Sequence, residues 1–366
     1  MTNVLSNKAI LAAIVAFAVV VGCSNDNNHA AANTAKNDTA TIQPVVVTQS
    51  LPHDTDDPAI WINPSDASKS LVLGTDKDQQ GGLYVFSLDG KIDTALSVKG
   101  LQRPNNVDIE YGLLLNGKPT DIAVTTERLT HKLRIFSLPD MKAVDNGGLP
   151  VFEGETEEGY RDLMGIALYK NNKGDIYAIV GRKTGPTDDS YLWQYLLADG
   201  GDGNVTATLV RKFGKYSGKL EIEAIAVDDL LGYVYYSDEG TGVRKYYADP
   251  NKGNEELALF ATTGFTADHE GISIYNATDS TGFILVSDQE VSQFHIFKRE
   301  GEQQAPHQHR LVKVAKVAAK FSDGSEMTSL ALNPQFKHGL FVVMNDEKNF
   351  HFYTPESILG DSLLMK

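Results

Sequence analysis

The sequence predicts an all-β fold: a six-bladed β-propeller with four-stranded antiparallel blades. Three observations lead there. Past residue 40 no long amphipathic helix pattern occurs, and short apolar or alternating runs are broken by Gly, Asp, Asn and Pro. One strand type recurs six times, as SLVLGTDK, DIAVTTER, IYAIVGRK, GYVYYSDE, GFILVSDQ and GLFVVMND, with successive ends 50 to 57 residues apart. Each copy has one strand-like run before it and another after it. A small antiparallel sheet cannot bury both faces alone, and radial packing on neighbouring blades does that. A β-sandwich or a pair of barrels predicts no such repeat.

The elements follow in chain order. Lys8 supplies positive charge, residues 9–22 are an apolar run too short to span a bilayer comfortably, and Val20-Val21-Gly22-Cys23 resembles a bacterial lipobox. Residues 1–22 therefore read as a lipoprotein-type signal peptide, with Cys23 as the lipidated residue. Cys23 is the only cysteine, so no intramolecular disulfide can form. Residues 23–43, rich in Asn, Ala, Asp and Thr, read as a flexible tether, and 44–366 as the propeller domain. The chain is expected to be exported. It would then be secreted or lipid-anchored on a bacterial membrane, the outer membrane in particular, facing the periplasm or the surface. VVVTQS (45–50) has no triplet before it and is expected to pair with the last triplet and close the ring. The runs that precede each copy are DDPAIWIN, NNVDIEYG, MGIALYKN, EIEAIAVDD, HEGISIYN and MTSLALNP. The third runs are GLYVFSLDGK, KLRIFSLPDM, YLWQYLLADG, GVRKYYADP, FHIFKREG and NFHFYTPE. TALSVKG, VTATLVRKFG, ELALFATTG and VKVAKVAAKF supply fourth strands.

Charge narrows the function. The 366 residues carry 48 acids against 33 bases, a formal net charge of -15, which excludes electrostatic attraction to nucleic acid. Equivalent positions of a propeller lie on a ring. The starts of the preceding runs should bring Asp56 and Asp57, Asn105, Asn106 and Asp108, Glu221 and Glu223, and Asp268 and Glu270 to one face. The second-strand ends bring Asp76 and Lys77, Glu127 and Arg128, Arg182 and Lys183, Asp238 and Glu239, and Asp288 and Gln289. Hard oxygen donors of this kind suit calcium. Lys77, Arg128, Lys183 and Arg182 then suit an anion, and arginine grips phosphate through its planar fork. Bound cations invert the local field of an acidic protein. Against this stands the wetness of turns, which places Asp, Asn, Lys and Glu at strand ends of any β protein. Recurrence at equivalent positions is what favours a site.

Other chemistry is set aside. There is no cysteine available to a cysteine phosphatase, no RHG motif, no P-loop and no G-x-S-x-G elbow. DKDQQGG (76–82) imitates an EF-hand start, but Ser87 stands where the terminal Glu belongs. ADGGDGN (198–204) reads as a wet hairpin tip. His307 and His309 read as a surface loop without further ligands, and Trp61 and Trp193 as core.

DTDDPAIW, TDK followed by GGLYVFSLDGK, NNVDIEYG, EIEAIAVDD with DDLLGYVYYSDE, ADHEGISIY and FSDGSE, in that order, resemble the β-propeller phytases. The resemblance runs from about residue 44 to the C-terminus. It implies a calcium-dependent phosphoric monoester hydrolase of the 3-phytase type. Its substrate would be myo-inositol hexakisphosphate or the calcium complex, attacked directly by a calcium-bound water. Lys77 and Arg128 would hold phosphate oxygens, and Asp56, Glu223, Asp268 and Glu270 the bridging calciums. Glu239 and Gln289 match further ligands, Asn105, Asn106 and Val107 lie in a structural calcium motif beside Asp57, and Asp323 and Gly324 match a calcium-binding turn. Lys183 matches a substrate-binding lysine, with Arg182 beside it. Lys77, Arg128, Glu223, Asp268 and Glu270 are the expected catalytic set. Three positions depart from the pattern: His53 replaces an acid, Met164 a tyrosine, and Thr184 an acid. Tyr160, Arg161 or Asp162 are candidates to compensate. A monomer is expected, touching a membrane only through Cys23. The competing readings are another calcium-dependent propeller hydrolase, a lactonase or esterase, and a non-catalytic binding propeller.

Overall fold

Six inner strands pack side by side in a closed ring: Thr55–Trp61, Pro104–Leu115, Leu163–Lys170, Ile225–Asp228, His269–Asn276 and Ser325–Thr328. In this computed structural model, which describes residues 36–37, 40–266 and 268–364, each inner strand begins one antiparallel sheet. The second strands are Leu71–Asp76, Lys118–Glu127, Ile176–Arg182, Tyr233–Asp238, Gly282–Asp288 and Leu340–Asn345. Third strands and outer strands complete six four-stranded antiparallel blades, the fifth extended by one short parallel strand, so the six-bladed propeller read from the repeat is the fold observed.

The sixth blade takes its outer strand from the other end of the chain. Val46–Val47 pairs antiparallel with Asn349–Tyr353, Val46 opposite Phe352 and Val47 opposite His351. The ring thus closes as VVVTQS predicts. The chain meets the propeller before residue 44, however. Lys36–Asn37 lies parallel to Leu311–Lys316 of blade 5, and Ile42 bridges Val317. The unpaired outer edge of that blade offers backbone groups to the incoming segment, so its last residues do not behave as a free tether. The signal segment and Cys23 lie outside the described residues.

Alternation along each strand builds the core. In Leu71–Asp76, Val72 joins the apolar cluster against blade 6, and Leu73 joins the cluster against blade 2. In Ile176–Arg182, Ile176, Ala178 and Val180 face blade 2, while Tyr177 and Ile179 face blade 4. Period-two alternation therefore feeds two seams at once, which explains why these strands read as nearly continuous apolar runs. Each of the six seams holds one cluster. Trp61 and Trp193 are core residues in two of them, as expected.

Candidate active site

At the start of four inner strands the pairing register slips at the same place: between Thr55 and Pro58, Pro104 and Val107, Leu163 and Ile166, and His269 and Ile272. The residues inside these bulges are Asp56 and Asp57, Asn105 and Asn106, Met164 and Gly165, and Glu270 and Gly271. A bulge re-aims side chains that a regular strand would send alternately to its two faces. Asp56, Asn105 and Glu270 thereby reach one mouth of the ring. Blade 4 reaches the same place with Glu223, two residues before its inner strand. Glycine permits the close approach of neighbouring blades there. A Cβ at Gly324 would collide with Asp57 and the Asp56 carbonyl, and one at Gly165 with the Glu223 carbonyl.

The second-strand ends separate into two roles. The last strand residue is buried and ties down the loop entering its own blade. Asp76 accepts from the backbone of His53 and Asp54, Glu127 from Gln102, Asp238 from Ser217 and Asp288 from Thr266. In blade 3 the polarity inverts: Arg182 donates to the carbonyls of Tyr160, Ser190 and Tyr191 and pairs with Glu155 at 3.3 Å. Its guanidinium is fully buried over the Phe152 ring, 4.4 Å from the centroid. Arg182 is therefore not presented to a ligand. The next residue in each blade is the one at the mouth. It donates its backbone N–H to a carbonyl of the entering loop, as Lys77 does to Asp54, Lys183 to Asp162, Glu239 to Glu221 and Gln289 to Asp268.

Lys77 stands at the centre. Its ammonium pairs with Asp56 and, at 3.2 Å, with Asp323, which also accepts from Gln289. Burial alone favours the neutral amine, but the charges of Asp56, Glu223 and Asp323 outweigh it and hold the Lys77 pKa above its usual value. Asn105 Nδ2 donates to Asp56 at 3.2 Å and to Glu223 at 3.3 Å. Carboxylate oxygens of Glu223, Glu239 and Glu270 lie within 4.8 Å of one another. Burial and then the Asp56 charge push Glu223 up to about 8, and burial pushes Glu239 up to about 7 and Asp323 up to about 6. Glu270 is raised well above its usual value, again by burial first. A carboxylate cluster in this condition is short of positive charge.

Asp57 and Val107 sit deeper. The Val107 N–H donates to Asp57 at 3.0 Å, and Asp57 faces an axial cavity of about 170 Å³ that Asn106, Asp108 and Glu326 also line. Burial raises Asp57 and Asp108 well above the usual carboxylate range and Glu326 up to about 7. Glu326 closes the FSDGSE stretch but is absent from the site residues singled out in the sequence, because an acid at a strand start carries no local sign of its burial. Arg128 lies across the mouth, its Nε donating to the Leu163 carbonyl at 3.0 Å and an Nη touching the Met164 sulfur. Lys183, nearly half exposed, pairs with Glu221 at 3.0 Å on the blade 3 side. Asp268 borders the mouth through its carbonyl bond to Gln289. His309, expected at the surface, is instead buried, because the 299–310 loop folds back on blade 4 and its ring faces Lys245.

Fold and mouth together define a class: a β-propeller whose acidic face gathers oxygen donors around a lysine and an arginine. Comparison with known proteins places it further. A family model described as Phytase matches residues 1–352. A 3-phytase from Bacillus subtilis (strain 168) is 30% identical over 302 residues, covering 80% of this chain and 74% of that protein. The chain belongs to the β-propeller phytase family.

Proposed function

We propose that this protein is a calcium-dependent phytase of the 3-phytase type, releasing phosphate from myo-inositol hexakisphosphate. The observation that carries the reading is the mouth itself: Glu223, Glu239 and Glu270 within 4.8 Å of one another, with Lys77 bound between Asp56 and Asp323 beside them. The donor set fits calcium. All its donors are hard oxygens, and Glu270 Oε2 and Asn105 Oδ1 are buried without a hydrogen-bond partner. Asp56, Asn105, Glu223, Glu239, Asp268, Glu270, Gln289 and Asp323 would hold the ions at the mouth. Asp57, Asn106 and the Val107 backbone would do so at the channel, and Gly324 keeps the turn close enough to Asp57. When bound, calcium supplies Lewis-acid charge and activates the water that attacks phosphorus.

The chain's own residues do the rest. A phosphate monoester is protected by its negative charge, which repels nucleophiles. Lys77 and Arg128 neutralise that charge and stabilise the charge spread over the phosphoryl oxygens in the transition state. The Lys77 ammonium is pre-positioned by Asp56 and Asp323, so it need not be recruited from solvent. Lys183 adds a cation on the blade 3 side, released from Glu221 when an anion arrives. Burial of the glutamates keeps the site at low dielectric, where each charge counts for more. The leader sequence supports export and lipid attachment at Cys23. The test is phosphate release from phytate by protein lacking residues 1–23, with calcium and with excess EGTA. Release that requires calcium is expected, and Arg128→Ala should lower it by about two to three orders of magnitude. Calcium-independent release, or full activity in Arg128→Ala, overturns the reading.

A further inference from the structure

Arg103 precedes Pro104 at the entrance to blade 2, and no motif draws attention to it. Its place in the ring does. In every blade the residue following the buried second-strand end donates its N–H to one carbonyl of the entering loop. Those carbonyls belong to Asp54, Arg103, Asp162, Glu221, Asp268 and Lys320, at 2.7 to 3.3 Å. Four of the six are acids at the mouth, and Asp268 is among the residues assigned to calcium. Blade 2 carries a guanidinium there instead, and the residue that donates to it is Arg128, at 3.0 Å.

The backbone of Arg103 is pinned from both sides. Its N–H donates to the Asp78 carbonyl at 2.8 Å, one residue past Lys77, and its carbonyl accepts from Arg128. Arg103 thus stands between the two residues that hold phosphate in the proposed reaction. It holds a left-handed φ of 58°, a conformation that side-chain-bearing residues adopt at a cost. Among the described residues no carboxylate pairs with its guanidinium. The nearest acid in sequence, Glu127, is already engaged by the Gln102 N–H, by Thr130 and by Arg134. The Arg103 charge is nonetheless felt at Arg128, whose pKa is lowered first by burial and then by Arg103. Glu223, Asp56 and Glu221 also act on Arg128 from a distance, but neither guanidinium forms an ion pair among the described residues, and two such groups side by side suit an anion.

We propose that Arg103 is a second substrate-binding guanidinium, which shares with Arg128 the phosphate oxygens of an inositol polyphosphate. The proposal rests on the phytase reading. It makes blade 2 the strong phosphate-holding side, next to a blade 3 where Met164 offers no hydroxyl and Arg182 is withdrawn into the core.

The test uses Arg103→Gly and Arg103→Lys in the full propeller. Glycine adopts a positive φ freely, so its variant removes the side chain without straining the turn; equal melting temperatures verify this. Phytate turnover is measured in calcium, and binding of the non-hydrolysable inositol hexakissulfate by calorimetry. In Arg103→Gly, KM and the hexakissulfate Kd should each rise about ten-fold, the equivalent of one charge-assisted hydrogen bond. The fall in kcat should be smaller than the rise in KM, and Arg103→Lys should recover part of the loss. KM and Kd within about two-fold of the parent, with Arg128→Ala still impaired, overturn the proposal and leave the phytase reading intact. A parent that releases no phosphate from phytate overturns the phytase reading, and the hexakissulfate Kd then decides on Arg103 alone.

Discussion

His309 and Lys245 face one another at 3.2 Å inside the seam between blades 4 and 5. His309 Nδ1 donates to the Lys298 carbonyl at 2.7 Å, which leaves the Nε2 lone pair for the lysine ammonium. Lys245 also donates to the Pro306 carbonyl and lies over the Tyr233 ring, 3.8 Å from its centroid. Around them, Asp228 is occupied by Arg299 through two contacts of 2.6 Å, Tyr235 is buried, and His307 stands edge-on to Tyr233. Burial first, then the Lys245 charge, pushes His309 from 6.5 down to about 4. The unfolded chain therefore binds a proton that the folded chain refuses. Stability should fall as pH drops from 6.5 towards 4, by on the order of 3 kcal/mol for this group. Urea denaturation at pH 7 and pH 5 checks this against His309→Gln, which carries no titrating group. A smaller acid loss in the variant is expected; parallel losses in both proteins would dispose of it.

At the scale of elements, ring closure rests on a very short strand. Beyond the Val46–Val47 pairing, the Val45 N–H donates to the Phe352 carbonyl at 2.8 Å, the Thr48 N–H to Phe350 at 3.0 Å, and the Phe350 N–H to Thr48 Oγ1 at 2.9 Å. Removing the strand leaves Phe350 and Phe352 on an open edge, inviting association with other sheets. A protein starting at residue 51 should lose roughly 3–5 kcal/mol relative to one starting at residue 40, from a handful of buried hydrogen bonds and the side chains they cover. Thermal melts and light scattering compare the two, and equal melting temperatures without association would show that the strand does not lock the ring.

For the whole molecule, the governing fact is 48 acids against 33 bases, with several of the acids buried at one mouth. Burial and mutual repulsion raise Glu223, Glu239 and Glu270, so a cation bound among them would be expected to relieve that repulsion. Ions that bind the folded ring and not the unfolded chain stabilise by mass action, about 2.7 kcal/mol at one hundred times the Kd. Calcium should therefore raise the melting temperature by several degrees, and a chelator should reverse it. A melting temperature indifferent to both would remove calcium from this mouth.

The repeat and the alternation by themselves determined the propeller, its six blades and its closure by VVVTQS, because strand period and blade spacing are written locally along the chain. Lys77, Arg128 and the acids of the mouth were equally legible, since they recur at equivalent strand ends. Only the tertiary structure decided between adjacent polar residues. Arg182 went to the core and Lys183 to the mouth because the end of each second strand must anchor its own entering loop, while the side chain of the next residue is left at the mouth. It alone revealed Glu326 in the channel, His309 in a seam and Arg103 beside Arg128. Each draws its meaning from neighbours distant in the chain, and the energies that matter there, desolvation and charge proximity, depend on distances that no local pattern encodes.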